Sequence, residues 1–505
     1  RQNRLYQCSC GMDNAAGNHP SKRGDNPWKD VGCCTWLQLI TTYDPKGKRL
    51  LAIHEVYGIL KHSAACLDQT EMTKSPPIPL HPMIRDYAIS LFQKSFTLNL
   101  VRTHCRDFAQ EKFSHLSGDE ILYGDNSYHY ILNEHEATSL YHTLNKQLGI
   151  SQRSAAHTNL GLWFRTDNPR PPSPLLSEAC LYYQPHIENV SDRFVIIIST
   201  PEQRQLAWKH GHQQLMFLDG TFGFCSARTL LFTPMAFDDL LHGVPLGHIL
   251  FSACETTKSS GVHADYNSEL MHELLGRFRQ GLGTNELGES FAPIVGMTDN
   301  DTKERYGLSQ EWPEILLLLC MFHMWQAWQN GLNKYLRCIP KGPARNEIRK
   351  HLAVLLLRLL KEIDVYENAI TAFNEEVQHF KSSKFEHNAL TRSQAKGALL
   401  FLAYLQSYLK SHSFWLSWSL AGAQEAARRL NIPVEQVART TNPLESFQGR
   451  LKNNYFGSYL RSGRLPRLDL WIIILVTKVL PEFFQTRKER RARGEYYQSK
   501  RQALP

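Results

Sequence analysis

The stretch Leu215-Met216-Phe217-Leu218-Asp219-Gly220-Thr221-Phe222 decides how this chain reads. A short apolar run that stops at an aspartate reads as a buried strand delivering an anion to the edge of a sheet. The same pattern recurs at Ile294-Val295-Gly296-Met297-Thr298-Asp299. A third carboxylate lies in Thr441-Asn442-Pro443-Leu444-Glu445. There Asn442 reads as an N-cap, Pro443 as the first helical residue and Glu445 as the third, in the manner of a capping box. Two strands and one helix of this kind can bring three carboxylates together. Three anions at close range repel one another unless a cation lies between them, and hard oxygen ligands suit Mg²⁺ or Mn²⁺. Asp219, Asp299 and Glu445 therefore read as the catalytic and metal-binding residues of a two-metal phosphodiester chemistry. Asp301 ranks behind Asp299, because no apolar strand leads directly into it. Each aspartate alone would more simply cap a turn; the strand order and the third carboxylate favour the site.

Outward from these motifs, strands are read at 194–198, 215–219, 229–237, 245–254, 294–299 and 316–320, with a helix at 267–278 and another through Trp325 and Trp328. Strands first, then alternating strand and helix, imply a mixed sheet flanked by helices. From 344 to 430 the pattern is all helical, with Ile348, Leu352, Leu355, Leu356, Leu359, Leu360 and Ile363 on one stripe. This reads as a helical block inserted before Glu445. The aromatic run Phe401, Tyr404, Tyr408, Phe414, Trp415 and Trp418 reads as core, with Trp415 or Trp418 stacking on an unpaired base as the minority alternative. Residues 82–151 also read as helical, and the proline-rich segments at 75–80 and 168–174 as breaks.

At 505 residues the chain exceeds a single core. The expected divisions are a β-rich module at 1–70, a helical linker or dimerisation region at 71–185, the first part of an α/β core at 186–340, the helical insertion at 341–430, the closing part of the core at 431–485 and a basic tail at 486–505. The class is thus α/β within a multidomain α+β chain. With 42% apolar and 21% charged residues the composition is that of a folded protein, and the net charge of +9 favours a polyanionic partner. The apolar runs at 315–322 and 470–476 are too short to span a bilayer, so no membrane partner is expected. No secretory signal is read at Arg1-Gln2-Asn3-Arg4, and the missing initiator Met is read as trimming.

Of the eleven cysteines, Cys8, Cys10, Cys33, Cys34 and Cys66 crowd into the first 66 residues. An odd total in a long chain argues against a disulfide framework. Short strands at 5–8, 35–42 and 50–60 make a core too small to stand unaided, and clustered Cys and His supply a Zn²⁺ staple. Cys8 and Cys10 would share one face of a strand, and only one of Cys33 and Cys34 would point inward. Farther on, Cys320-Met321-Phe322-His323 resembles half a zinc site. It reads more simply as a buried Cys and a core-bonded His that pack beside the carboxylates and steady a helix, with His323 able to meet a DNA phosphate. Basic residues cluster after Glu445: Arg450, Lys452, Arg461, Arg464, Arg467, then the run from Arg487 to Arg493. Arg450 and Lys452 are expected to contact nucleic acid; the terminal run reads as a solvated tail serving DNA contact or nuclear import.

In order and spacing these pieces resemble the Mutator-like DNA transposases and their plant relatives of the far-red-impaired-response type. Leu218-Asp219-Gly220-Thr221-Phe222 is similar to the first catalytic-Asp motif, Met297-Thr298-Asp299 with Pro313 to the second, Cys320–His323 with Trp328 to the family's Cys-x-x-His motif, and Asn442-Pro443-Leu444-Glu445-Ser446-Phe447 to the Glu motif. The resemblance implies a ribonuclease-H-like catalytic core interrupted by helices before the Glu; 80 residues separate Asp219 from Asp299, and 146 separate Asp299 from Glu445. It also implies a WRKY- or GCM-like zinc module at the N-terminus. By that likeness Cys8, Cys33, His62 and Cys66 are the zinc ligands, with Cys10, Cys34 and His54 as alternatives. The implied function is cut-and-paste transposition in the nucleus: a homodimer binds double-stranded DNA at terminal inverted repeats, cleaves it with divalent metal and joins it to target DNA. The alternative is a domesticated DNA-binding regulator that keeps the fold without the chemistry.

Overall fold

The computed structural model describes residues 2–8, 10, 31–43, 50–72, 80–93, 96–113, 127–147, 149–151, 154–165, 167–186, 193–252, 266–457 and 465–502. The chain packs as two units, Arg1–Ile84 with Arg106–Leu132, and Arg85–Cys105 with Asn133–Pro505. The region 71–185, expected to stand as one linker, is divided between them. Residues 186–340, 341–430 and 431–485 all fall in the second unit.

In the first unit, strands β1 (Gln2–Gln7), β2 (Trp36–Tyr43) and β3 (Leu50–Ile59) form an antiparallel sheet in chain order. β2 and β3 shift register at Ile40/Thr41 and again at Thr42/Tyr43. A side chain at Gly58 would meet the Trp36 carbonyl oxygen at 2.1 Å, so only glycine fits where the strands approach there. The helix Ala64–Met72 follows β3.

The second unit holds β4 (Cys180–Gln184), β5 (Val195–Ile198), β6 (Leu215–Phe217), β7 (Gly220–Thr221), β8 (Thr229–Phe232), β9 (Met235–Phe237), β10 (Gly243–Pro245), β11 (His248–Ser252), β12 (Val295–Thr298) and β13 (Leu316–Leu319). They make two five-stranded sheets, not one. The first runs β4-β5-β11-β8-β7, the second β10-β9-β6-β12-β13. The single strand expected at 229–237 is two strands in different sheets. Pro234 lies at the break, where it has no N–H to continue a ladder. The strand expected at 245–254 likewise divides around Leu246-Gly247 into β10 and β11.

The second sheet positions the site. β6, β12 and β13 are parallel, β9 runs antiparallel to β6, and β10, antiparallel to β9, runs in the same sense as β6. β6 and β12 are wholly buried, which explains their unbroken apolar sequences. The helix Thr302–Glu311 makes the crossover from β12 to β13.

The helices Pro343–Lys361, Tyr366–Lys381 and Ala389–Leu405 form the expected helical block, with its own core around Trp328, Leu352, Leu356, Phe401, Trp415 and Trp418. Trp415 and Trp418 are each 1% exposed, and Trp418 Nε1 donates to the Tyr408 carbonyl at 3.1 Å. They are core, so base stacking by either is withdrawn. The expected basic tail is not a separate segment. Its residues to 502 continue the helix Leu480–Gln502, and buried Asp238 accepts from Arg487 Nε at 2.8 Å. Arg461 and Arg464 lie outside the described residues. Among those described, no helix is long and apolar enough to cross a membrane.

Two candidate metal centres

The first centre gathers at one end of the N-terminal sheet. Cys8 follows β1, with its N–H held by the Thr35 carbonyl at 2.9 Å. Cys33 lies just before β2 and His62 just after β3, while Cys66 opens the short helix behind them. One ligand atom from each of Cys8, Cys33, His62 and Cys66 lies within 4.8 Å of every other. Cys8 Sγ to Cys66 Sγ is 3.5 Å, Cys33 Sγ to His62 Nδ1 is 3.6 Å and Cys66 Sγ to His62 Nδ1 is 3.4 Å. A tetrahedron with bonds of ~2.1–2.3 Å has edges of about 3.4–3.8 Å, so the group has the separations a zinc ion could take. Burial pushes the Cys33 thiol up, but hydrogen bonds from the Thr35 hydroxyl and from the Ser63 and Thr35 backbone bring it down to about 5. Burial and the adjoining cysteines push Cys66 far up. Several thiols thus compete to hold negative charge in one small volume, which a divalent cation resolves.

The structure also chooses among the alternatives. Cys34 is exposed, with Sγ toward the Gly32 carbonyl. His54 points out from β3, and its Nε2 lies 2.7 Å from the Thr42 hydroxyl. Cys10 is buried beside the group but outside the set of four, its carbonyl accepting from Val31 and Cys33.

The second centre lies at the carboxyl ends of β6 and β12. Phe217 is in register with Met297, and Leu218 N–H donates to the Met297 carbonyl at 3.0 Å. Asp219 and Asp299 therefore leave neighbouring parallel strands at the same level. Asp219 also marks the point where the chain passes from one sheet to the other, its carbonyl accepting from Thr233 N–H and from Gln448 Nε2, both at 3.4 Å. Gln448 belongs to the helix Asn442–Arg450, which carries Glu445. His323, in the first turn of Met321–Tyr335, joins the carboxylates: Nδ1 is 2.5 Å from Asp299 Oδ1 and Nε2 is 3.5 Å from Glu445 Oε1. The side chains of Asp299, His323 and Glu445 are 30%, 29% and 38% exposed, so the group is open to solvent. Burial, then the Asp299 charge, pushes the Asp219 carboxyl up to about 7. Asp299 is also raised, by burial, against the pull of His323.

Cys320 faces inward here. Its N–H bonds the Thr298 carbonyl at 3.0 Å, tying β13 to β12. Its sulfur accepts from the Thr441 N–H at 3.4 Å and lies 3.3 Å from the Thr441 hydroxyl. That hydroxyl is also 3.2 Å from Glu445 Oε1, and its single proton serves one acceptor at a time. Cys320 thus braces the Glu445 helix. Although it lies with Asp299 and His323 within 4.8 Å, its sulfur is already engaged by Thr441. The helix cap is Thr441 rather than Asn442, so Glu445 is the fourth helical residue, and Oε1, which lies near His323, also faces the hydroxyl of the cap. Asp301 is the N-cap of Thr302–Glu311, accepting from Lys303 and Glu304 N–H, which explains why it takes no part.

Two neighbours were not singled out from sequence. Thr441 is one. The other is Glu304, buried below the aspartates and accepting from the Thr298 hydroxyl. Burial holds its carboxyl well above the usual range despite that bond, and the charges of Asp219, Asp301 and Asp299 push the same way. In sequence Glu304 looks like the closing residue of a capping box begun by Asp301, which hides its second contact.

Lys452 Nζ donates to the Thr221 hydroxyl at 2.5 Å and lies 5.9 Å from the centre of the Phe222 ring, beside the Asp219 turn. Arg450 lies instead in a recess with Ser446, Tyr455, Arg487, Arg490 and Arg491. The two basic residues expected to act together therefore face different places. No family model matches the chain, and no curated protein matches it.

Proposed function

We propose that this chain is a DNA transposase of the cut-and-paste type with a ribonuclease-H-like core. The observation that carries the reading is the placement of Asp219 and Asp299 on adjacent parallel strand ends, with Glu445 linked to Asp299 through His323. The mixed sheet beneath them and the helical block between β13 and Glu445 agree with it. The three carboxylates offer hard oxygen donors, and burial, then the charge of Asp299, raises the Asp219 carboxyl. Mg²⁺ or Mn²⁺ held by Asp219, Asp299 and Glu445 would activate a water or 3′-hydroxyl and stabilise the leaving oxygen.

The chain's own groups do the positioning. The strand ends fix the two aspartates, Thr441 and Cys320 set the pitch of the Glu445 helix, and His323 holds Asp299 and Glu445 in mutual orientation. Lys452 adds a cation beside the Asp219 turn for a strand phosphate, and Arg450 a second contact farther along. The N-terminal module, with Zn²⁺ on Cys8, Cys33, His62 and Cys66, would read the terminal inverted repeats. Two such chains would hold the two ends of an element in the nucleus.

An assay with a pre-cut repeat end, a target plasmid and Mg²⁺ tests the reading. The expected result is strand transfer by the native chain and none by Asp219→Asn, with repeat binding retained in both. Repeat binding without cleavage or joining by the native chain would leave a DNA-binding regulator instead.

A further inference from the structure

The helical block carries a third cluster, remote in sequence from the motifs above. Glu376 and His379 are spaced three apart on the helix Tyr366–Lys381, which places them on one face. His351 meets them from the helix Pro343–Lys361, with Nε2 against Glu376 Oε1. The His351 and His379 rings lie nearly parallel, 12° apart in plane and 5.2 Å between centres. Both lean edge-on against buried Phe380, and His379 also against Phe385. These aromatic walls set the rings before any ligand arrives. One ligand atom from each of the three residues lies within 4.8 Å of the others.

We propose that His351, Glu376 and His379 form a transition-metal site that staples the two helices together. Two imidazoles and one carboxylate are a donor set for Zn²⁺ and similar borderline ions, not for Mg²⁺ or Ca²⁺. Glu376 is 16% exposed and braces the site from inside, whereas His351 is 43% exposed, so an ion reaches the cluster directly from solvent. Three protein ligands leave positions for water, as in open rather than closed zinc sites. The short connection between the helices, 362–365, is closed by this link, so the ion ties two successive helices across their contact face.

The test uses the full chain, stripped of metal and titrated with Co²⁺ in excess Mg²⁺, with a parallel Asp299→Asn titration to subtract any cobalt held beside His323 and Glu445. Cobalt on the N-terminal cysteines gives a thiolate charge-transfer band; cobalt on imidazole and carboxylate gives only weak visible bands. Two equivalents should bind per chain. His379→Gln and Glu376→Gln should each remove one equivalent and leave the charge-transfer band intact, whereas Cys66→Ser should do the reverse. Added Zn²⁺ should raise the thermal midpoint of the Cys66→Ser chain but not of the same chain carrying His379→Gln. A native chain showing only the thiolate equivalent, or a folded His379→Gln variant still binding two, overturns the proposal. Circular dichroism establishes folding, and if Glu376→Gln does not fold, the variant at exposed His379, His379→Gln, decides alone.

Discussion

The two centres differ in what holds them. Around the N-terminal sheet the buried cluster is largely the group itself: Cys10, Cys33 and Cys66, with Cys8 and Val31 against them. Leu5, Tyr6, Leu51, Ile53, Val56 and Tyr57 of its strands are exposed. Asp219 and Asp299 instead stand on strands whose Met216, Phe217, Val295 and Met297 belong to an extensive apolar core. Where apolar burial is scarce, the ligand group is the fold; where burial is ample, the ligand group is carried by the fold and tolerates mutual repulsion. The first should fail structurally without its ion, and the second only chemically.

Removing zinc should have the largest effect. Apparent zinc-binding energies in small structural sites are ~10–16 kcal/mol, more than such a module can replace. Chelation or Cys66→Ser should therefore abolish hydrogen-exchange protection in β1–β3, while protection in β6 and β12 persists. Equal loss in both places would break the comparison.

Asp219→Asn comes next. On the proposed function Asp219 is a metal ligand, and its loss should lower cleavage by more than ~100-fold, beyond what residues behind a metal's ligands contribute. Yet the thermal midpoint should hold or rise, because a neutral amide replaces a carboxylate crowded by burial and by Asp299. A fall resembling that of Cys66→Ser would mean the carboxylates are structural after all.

A middle-sized effect belongs to Cys320→Ala. The Thr441 N–H and hydroxyl are buried and would lose the sulfur they face, at a cost of about 1–3 kcal/mol. Glu445 should then loosen, with cleavage reduced ~10-fold. Cys320→Ser, which restores an acceptor, should recover most of both. If it recovered stability but not rate, the brace on Glu445 would be disproved.

The two centres were legible to different degrees. Asp219 and Asp299 close apolar runs, so local pattern finds them; the crowding of Cys and His in the first 66 residues marks the other group, but the choice of Cys8, Cys33, His62 and Cys66 among them came from the family resemblance. The partition into two sheets was hidden, because residues 229–252 are apolar on both sides of Pro234 and Gly247, and continuous hydrophobicity does not say which neighbour a strand takes. The His351–Glu376–His379 cluster was missed because two helices must be paired before it exists. The cap at Thr441 was missed because Asn442-Pro443 makes the stronger local signal. Arg487 looked like a tail residue because its partner, Asp238, lies 249 residues earlier.

The smallest effect sharpens the electrostatic half of the comparison. Glu425, on the helix Leu420–Leu430, is a carboxylate among cations: it accepts from Arg428 at 2.6 and 2.8 Å and from Arg429 at 2.8 Å. The Arg428 hydrogen bonds, then those of Arg429, hold its carboxyl down to about 2 against a small opposing effect of burial. Asp219, among anions, is displaced the other way. Because the folded value of Glu425 is depressed, the unfolded chain binds more protons between about pH 2 and 4.5, so stability rises with pH across that window. The contribution is complete above the ordinary value and lost as pH falls through about 2. Solvent screening limits it to ~0.5 kcal/mol, as for other surface ion pairs. Glu425→Gln should thus be slightly less stable than the native chain at pH 7 in denaturant melts, and the difference should close on approach to pH 2. A gap that stayed constant with pH would trace to packing rather than charge, and the sign of neighbouring charge would no longer explain why these two carboxylates diverge.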